Sequence, residues 1–318
     1  MQMNTRIAVL VAAVAAIGVL LVVLQWSGGD DRAAGQLTAA FDAEFLTRPD
    51  GYEGLKAHYN LDFSASPRQM DPGLMYRAVA DGTVDVIDGF ATDGRIPAYD
   101  LVVLEDDKGF FPPYYAAPVV RAETLQAHPE LREALNALAG RLSDETMQAL
   151  NYEADEKGLK ARDVARGFLE REGLIERGAE AGDGSAGTVK VGSKHFTEQE
   201  ILGEMMSLLI EHETDLKVKR NLNLGGTMIC FSALKSGDLD VYAEYTGTGL
   251  VNILDRDAID DPDRAYRAVK DAFEERYGLV WLEPFGFNNT YTLTMRREQA
   301  ERLGIETISD LAAQLGER

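Results

Sequence analysis

The 318-residue chain holds one cysteine, Cys230, so no disulfide can close within it. Cys230 lies in the apolar segment 228–234, which predicts a buried structural thiol rather than a nucleophile. Histidine is also scarce. His58, His128, His195 and His212 show no ligand spacing of the H-E-x-x-H kind, and each reads as a surface or capping residue. The glycine-rich stretches 225–227 and 246–249 fit neither a phosphate-binding loop nor a dinucleotide fingerprint. No nucleophile–base pair or metal set stands out, so neither an enzyme nor a cofactor is expected. Positive charge is short as well: 32 Lys and Arg against 53 Asp and Glu, a net charge of −21. That balance disfavours nucleic acid and anionic lipid as partners and favours solubility at high salt. The neighbouring carboxylates Asp106 and Asp107 read as solvated surface.

What remains is an ordinary hydrophobic share of 45% in a chain long enough for two domains or lobes. Arg6 precedes an apolar run, 7–26, broken only by Gln25, with Asp30 and Asp31 after it. About 20 such residues can span a bilayer. An uncleaved membrane anchor is expected over a cleaved signal peptide, with the bulk of the chain on the periplasmic or extracellular face. From Leu37 short apolar strands alternate with amphipathic helices, an α/β pattern. Strands are expected at 37–45, 101–104, 116–120, 189–192, 279–282 and 287–295. Helices are expected at 52–59, from Pro72, near 129–139, 143–151, 161–172, 263–276 and 308–315. The helix after residue 196 carries Ile201, Leu202, Met205, Leu208 and Leu209 as one core stripe.

Two segments echo each other without a gap. Residues 76–90 align on 231–245, pairing Ala78 with Ala233, Gly82 with Gly237, Asp85 with Asp240 and Val86 with Val241. Each reads as helix, glycine stop, buried strand and terminal aromatic, Phe90 or Tyr245. In an open α/β sheet ligands sit beyond the carboxyl ends of strands, so two such units predict a two-lobed binding protein with both aromatics in one cleft. Tyr114, Tyr115 and Tyr291 also fall at expected turns and strands. Rings converging on a cleft suit a quaternary ammonium ion, which offers no hydrogen-bond donor and is met by ring faces. The glycine-rich turns at 225–227 and 246–249 are expected to present backbone N–H groups at a helix start, where an anion could dock.

Segments 192–199, 223–230, 240–248 and 287–291 resemble the first half of the glycine betaine/carnitine/choline-type substrate-binding subunits of ABC importers. Segments 44–51, 70–75, 91–96 and 101–118 resemble their second half. The resemblance implies a type II periplasmic-binding-protein fold, two α/β lobes closing on a hinge, with an ABC permease and its ATPase as partners. It further implies Tyr114, Tyr245 and Tyr291 as cage aromatics, Phe90 in place of a usual tyrosine, Arg48 as a bidentate clamp on a ligand carboxylate, and Lys194 and Thr248 assisting on that side or at the lobe interface. The halves stand in reverse order to that family. The expected organisation is therefore a membrane anchor or signal segment and spacer (1–36), the family's second half (37–175), a flexible linker (176–187) and the family's first half (188–318), a circular permutation. The alternatives are a fusion remnant that needs a partner chain and a ligand-binding sensory domain.

Overall fold

The computed structural model describes residues 37–178 and 182–316. The expected N-terminal anchor lies outside the described residues, as do residues 179–181 of the expected linker. Among the described residues no helix is long and apolar enough to cross a membrane.

Among the described residues ten strands form two sheets: β1 (Ala39–Phe41), β2 (Arg68–Gln69), β3 (Val86–Phe90), β4 (Leu101–Val103), β5 (Ala116–Arg121), β6 (Gly187–Gly192), β7 (Leu216–Asn221), β8 (Val241–Tyr245), β9 (Leu279–Trp281) and β10 (Tyr291–Arg296). One sheet has the order β2-β1-β3-β10-β4, the other β7-β6-β8-β5-β9. Each is parallel except for its fourth strand: β10 runs antiparallel to β3 and β4, and β5 antiparallel to β8 and β9. The antiparallel strand of each lobe follows a crossover from the other lobe. The two crossovers touch in an antiparallel bridge between Tyr115 and Asn288.

The echo between 76–90 and 231–245 is structural. Helices Pro72–Ala80 and Thr227–Ser236 precede β3 and β8, and both stops, Gly82 (φ 74°) and Gly237 (φ 81°), take the left-handed conformation that glycine tolerates best. Asp85 accepts from the Thr38 N–H before β1 (2.8 Å), and Asp240 accepts from the Lys190 N–H of β6 (2.8 Å), so each aspartate ties its strand to the neighbouring one. The helix Thr197–Glu213 buries all five stripe residues.

Three expectations change. The strand expected at 37–45 shrinks to β1, because Asp42 caps the helix Ala43–Thr47 by accepting from Glu44 N–H (3.1 Å). The strand expected at 287–295 starts only at Tyr291, since the Asn288 and Asn289 side chains bond to other segments instead of extending the ladder. Asp106 is not free surface: it accepts from Phe110 N–H (3.0 Å), Phe111 N–H (2.9 Å) and the Tyr59 hydroxyl, closing the turn that leads into the first crossover. The expected linker is tethered at its end, where Gly182 N–H donates to Glu211 O (2.6 Å) and Ala186 N–H to Asp215 O (3.1 Å), and Gly187 already belongs to β6.

Candidate functional site

Because β5 and β10 are antiparallel to their neighbours, their amino ends lie at the carboxyl ends of β8 and β3. Tyr291 stands opposite Phe90 and Ala116 opposite Tyr245 in register, so Tyr114 and Tyr115 arrive at the same edge as Tyr245. The turns leaving β1 and β6 supply Asp42 to Arg48 and Lys194 to Phe196 at the same level. A cleft of about 520 Å³, open to solvent, results between the lobes. Arg48, Phe90, Tyr114, Lys194, Tyr245, Thr248 and Tyr291 all line it. The first three come from 37–175, the other four from 188–318.

The rings form a continuous wall. Tyr114 meets Tyr291 edge-on (5.6 Å between centroids), Tyr291 tilts against Phe90 (5.4 Å), Phe90 stacks on Phe196 (5.7 Å, planes 3° apart) and Phe196 stacks on Tyr245 (6.3 Å). Phe196 thus lies between Phe90 and Tyr245, which do not face each other directly. Sequence reasoning missed Phe196. Its signal was available: an aromatic at the N-cap of a helix that starts just after a buried parallel strand.

Every charge in this wall is bonded. Lys194 Nζ pairs with Glu244 (2.6 Å) below the Tyr245 ring, whose centroid is 5.1 Å away. Arg48 lies 5.3 Å from the Tyr291 centroid and grips Asp50 through Nε (2.8 Å) and Nη2 (2.6 Å), leaving Nη1 to donate to the Thr248 hydroxyl across the cleft (3.2 Å). The bidentate fork expected for a ligand carboxylate is therefore given to Asp50, which also accepts from the Tyr114 hydroxyl (2.5 Å). A planar guanidinium can still offer its Nη1 side.

Glu198, fully buried, accepts from Tyr245 hydroxyl (2.7 Å), Asn289 Nδ2 (2.8 Å), Asn151 Nδ2 (3.1 Å) and the Thr92 hydroxyl, a knot tying both lobes to one crossover. Burial still wins over these four donors and raises its carboxyl above the ordinary range. Burial and the Glu198 charge push the Tyr245 hydroxyl well above its usual value. Asp88 is raised strongly by burial and by Asp42; one of its oxygens accepts from Asp42 N–H (2.8 Å) and the other finds no partner among the described residues.

Glu44 was not foreseen. The glycine-rich turn 225–227 does open a helix and present its N–H groups, and the anion it meets is Glu44 from the opposite lobe. Thr227 donates to it through N–H (2.7 Å) and hydroxyl (3.2 Å). Burial pushes this carboxyl up, but Lys194, the Thr227 N–H and Arg48 outweigh burial and hold it below the usual range. Cys230, on the same helix, is buried, and burial pushes its thiol up to about 12, as a structural cysteine requires. Among the described residues no three His, Cys, Asp or Glu side chains cluster so as to hold a metal ion.

Known proteins are similar to part of this chain. The carnitine transport binding protein OpuCC of Listeria monocytogenes is 43% identical over 143 residues, 44% of this chain and 46% of its own length. A glycine-betaine-binding protein of Pseudomonas aeruginosa is 43% identical over 148 residues, 46% of this chain and 47% of its own. The crystal structure of a glycine betaine/carnitine/choline ABC transporter is 44% identical over 44% of this chain and 51% of that chain, with a TM-score of 0.36. The chain thus spans about half the length of the curated relatives it matches. The family of substrate binding domains of ABC-type glycine betaine transport systems matches residues 29–171 and 187–317, nearly all of the chain beyond its N-terminal run. The chain belongs to this family.

Proposed function

We propose that this chain captures a small quaternary-ammonium osmolyte of the glycine betaine, choline, carnitine or proline betaine class and delivers it to an ABC permease and its ATPase. The observation that carries the reading is the ring wall of Tyr114, Tyr291, Phe90, Phe196 and Tyr245, contributed by both halves of one chain and backed by carboxylates. Ring faces and nearby negative charge suit a cation that has no proton to donate. Three or four desolvated cation–π contacts of about 0.5–2 kcal/mol each, with a charge-assisted contact of about 1.5–3 kcal/mol, support micromolar binding. Burial of the contacts shields them from salt, which at about 1 M shortens the Debye length to about 3 Å.

The two halves stand, in this reading, in circularly permuted order. One cleft lined from both halves of a single chain favours permutation over a fusion remnant, whose site would need a partner chain. An anchor in residues 7–26 belongs to the same proposal and rests on their apolar sequence. Isothermal calorimetry of the purified chain against the four osmolytes tests the function. Micromolar binding of at least one by a monomer is expected; binding of none sinks the reading, and binding only by an obligate dimer sinks the permutation.

A further inference from the structure

The cleft contains an anion of its own. Glu44 sits where every positive element of the site converges: its carboxylate accepts from the first N–H and the hydroxyl of the helix Thr227–Ser236, and one of its oxygens lies 3.9 Å from Arg48 Nη1. This is where the carboxylate of a zwitterionic ligand would seek a partner, because a helix start and two cations attract anions. The cations are also answered from behind. Asp50 takes the Nε–Nη2 edge of Arg48, and Glu244 takes Lys194. Around the cavity two cations thus stand against four carboxylates, those of Asp42, Glu44, Asp50 and Glu244. Even with Asp42 protonated, as burial and the neighbouring Glu44 favour, the balance stays negative. A ligand with a full positive charge and no carboxylate settles into such a site with every group satisfied. A zwitterion must displace Glu44 from the helix start or hold its own carboxylate beside it, and like charges at such range repel.

We propose that Glu44 makes this cleft selective for a permanently cationic ligand without a carboxylate, of the choline type, over a zwitterion of the glycine betaine type. The proposal rests on the quaternary-ammonium reading given above and deepens it. Glu44 acts as a specificity-determining residue: it fills the anion corner from within the protein and adds negative charge beside the aromatic wall.

The test compares choline and glycine betaine by calorimetry on the native chain, on Glu44→Gln and on Glu44→Asp. Glutamine keeps an acceptor for Thr227 N–H and removes only the charge; aspartate keeps the charge on a shorter arm. The native chain is expected to bind choline at least tenfold more tightly than glycine betaine. Glu44→Gln should shrink that ratio at least tenfold, and Glu44→Asp should keep most of it. A native preference for glycine betaine, or a ratio unchanged within twofold in Glu44→Gln, overturns the proposal. An equal loss of both ligands is such an unchanged ratio and makes Glu44 a latch between lobes only, with the quaternary-ammonium reading intact. Binding of neither ligand by the native chain overturns that reading and the proposal with it.

Discussion

β3 and β8 occupy the same place in their sheets, follow the same helix–glycine stop and end in an aromatic ring on the same cleft, yet their buried chemistry differs. At the two positions before the ring the first lobe has Asp88 and Gly89, the second Ala243 and Glu244. Glu244 is fully engaged, by Lys194, by the Tyr242 hydroxyl (2.9 Å) and by Tyr245 N–H (2.8 Å). Asp88 has one N–H and an oxygen with no partner among the described residues. One backbone plan has therefore been filled with a closed ion pair in one lobe and an unsatisfied carboxyl in the other. The two carboxylates stand one register position apart and so point to opposite faces of their sheets, and the partners each meets there decide whether burying a charge stabilises or costs.

The largest expected effect breaks the second lobe. Glu244→Ala leaves Lys194 buried without its counter-ion, and removing one partner of such a pair costs about 3–5 kcal/mol. Urea denaturation checks this; a loss under about 1 kcal/mol would mean that Lys194 finds water. Next come the matched aspartates. Asp85 is 1% exposed and also accepts from Gln299 Nε2 (2.8 Å) and Arg296 Nη2 (3.1 Å), whereas Asp240 adds, among the described residues, the Thr124 hydroxyl (3.1 Å). Asp85→Ala should cost about 3 kcal/mol and Asp240→Ala about 1.5 kcal/mol, since bonds to a charged group contribute about 1.5–3 kcal/mol where the partners stay buried. Equal losses would show the two ties to be equivalent in energy as well as in geometry.

The smallest effect is in Asp88. Its carboxyl is held above the ordinary range in the folded chain, so folding favours the protonated form. The stability this gives is present below the unfolded value of about 4 and is lost as pH rises through the raised folded value. Asn at 88 does not titrate. Asp88→Asn should therefore gain on the native chain as pH rises, by about 1 kcal/mol or about 2 °C in Tm at neutral pH. Melting curves from pH 4 to 8 read this directly; a gap that narrows toward pH 8 would contradict a raised carboxyl.

Much of this was legible in one dimension. The gapless echo of 76–90 in 231–245 predicted the equivalent strands, and helix 52–59 emerges with the expected ends. Period-two alternation in Leu216 and Val218 marks β7, which sequence reading passed over, and β2 has only two exposed residues and no pattern to read. The seven candidate residues line one cleft, but Phe196 and Glu44 joined them only through distant contacts. Glu44 reads locally as an ordinary acidic residue in a first helical turn, and its partner Thr227 lies 183 residues away.

The sequence by itself determined the two-lobed α/β plan, the strand-end aromatics and the glycine stops, because these follow from local periodicity and backbone sterics. Only the tertiary structure decided that Asp50 takes Arg48's fork, that Glu198 knots the lobes and that Glu44 fills the anion corner. Those outcomes depend on which charges are desolvated together, and desolvation is set by chain segments that meet only in space.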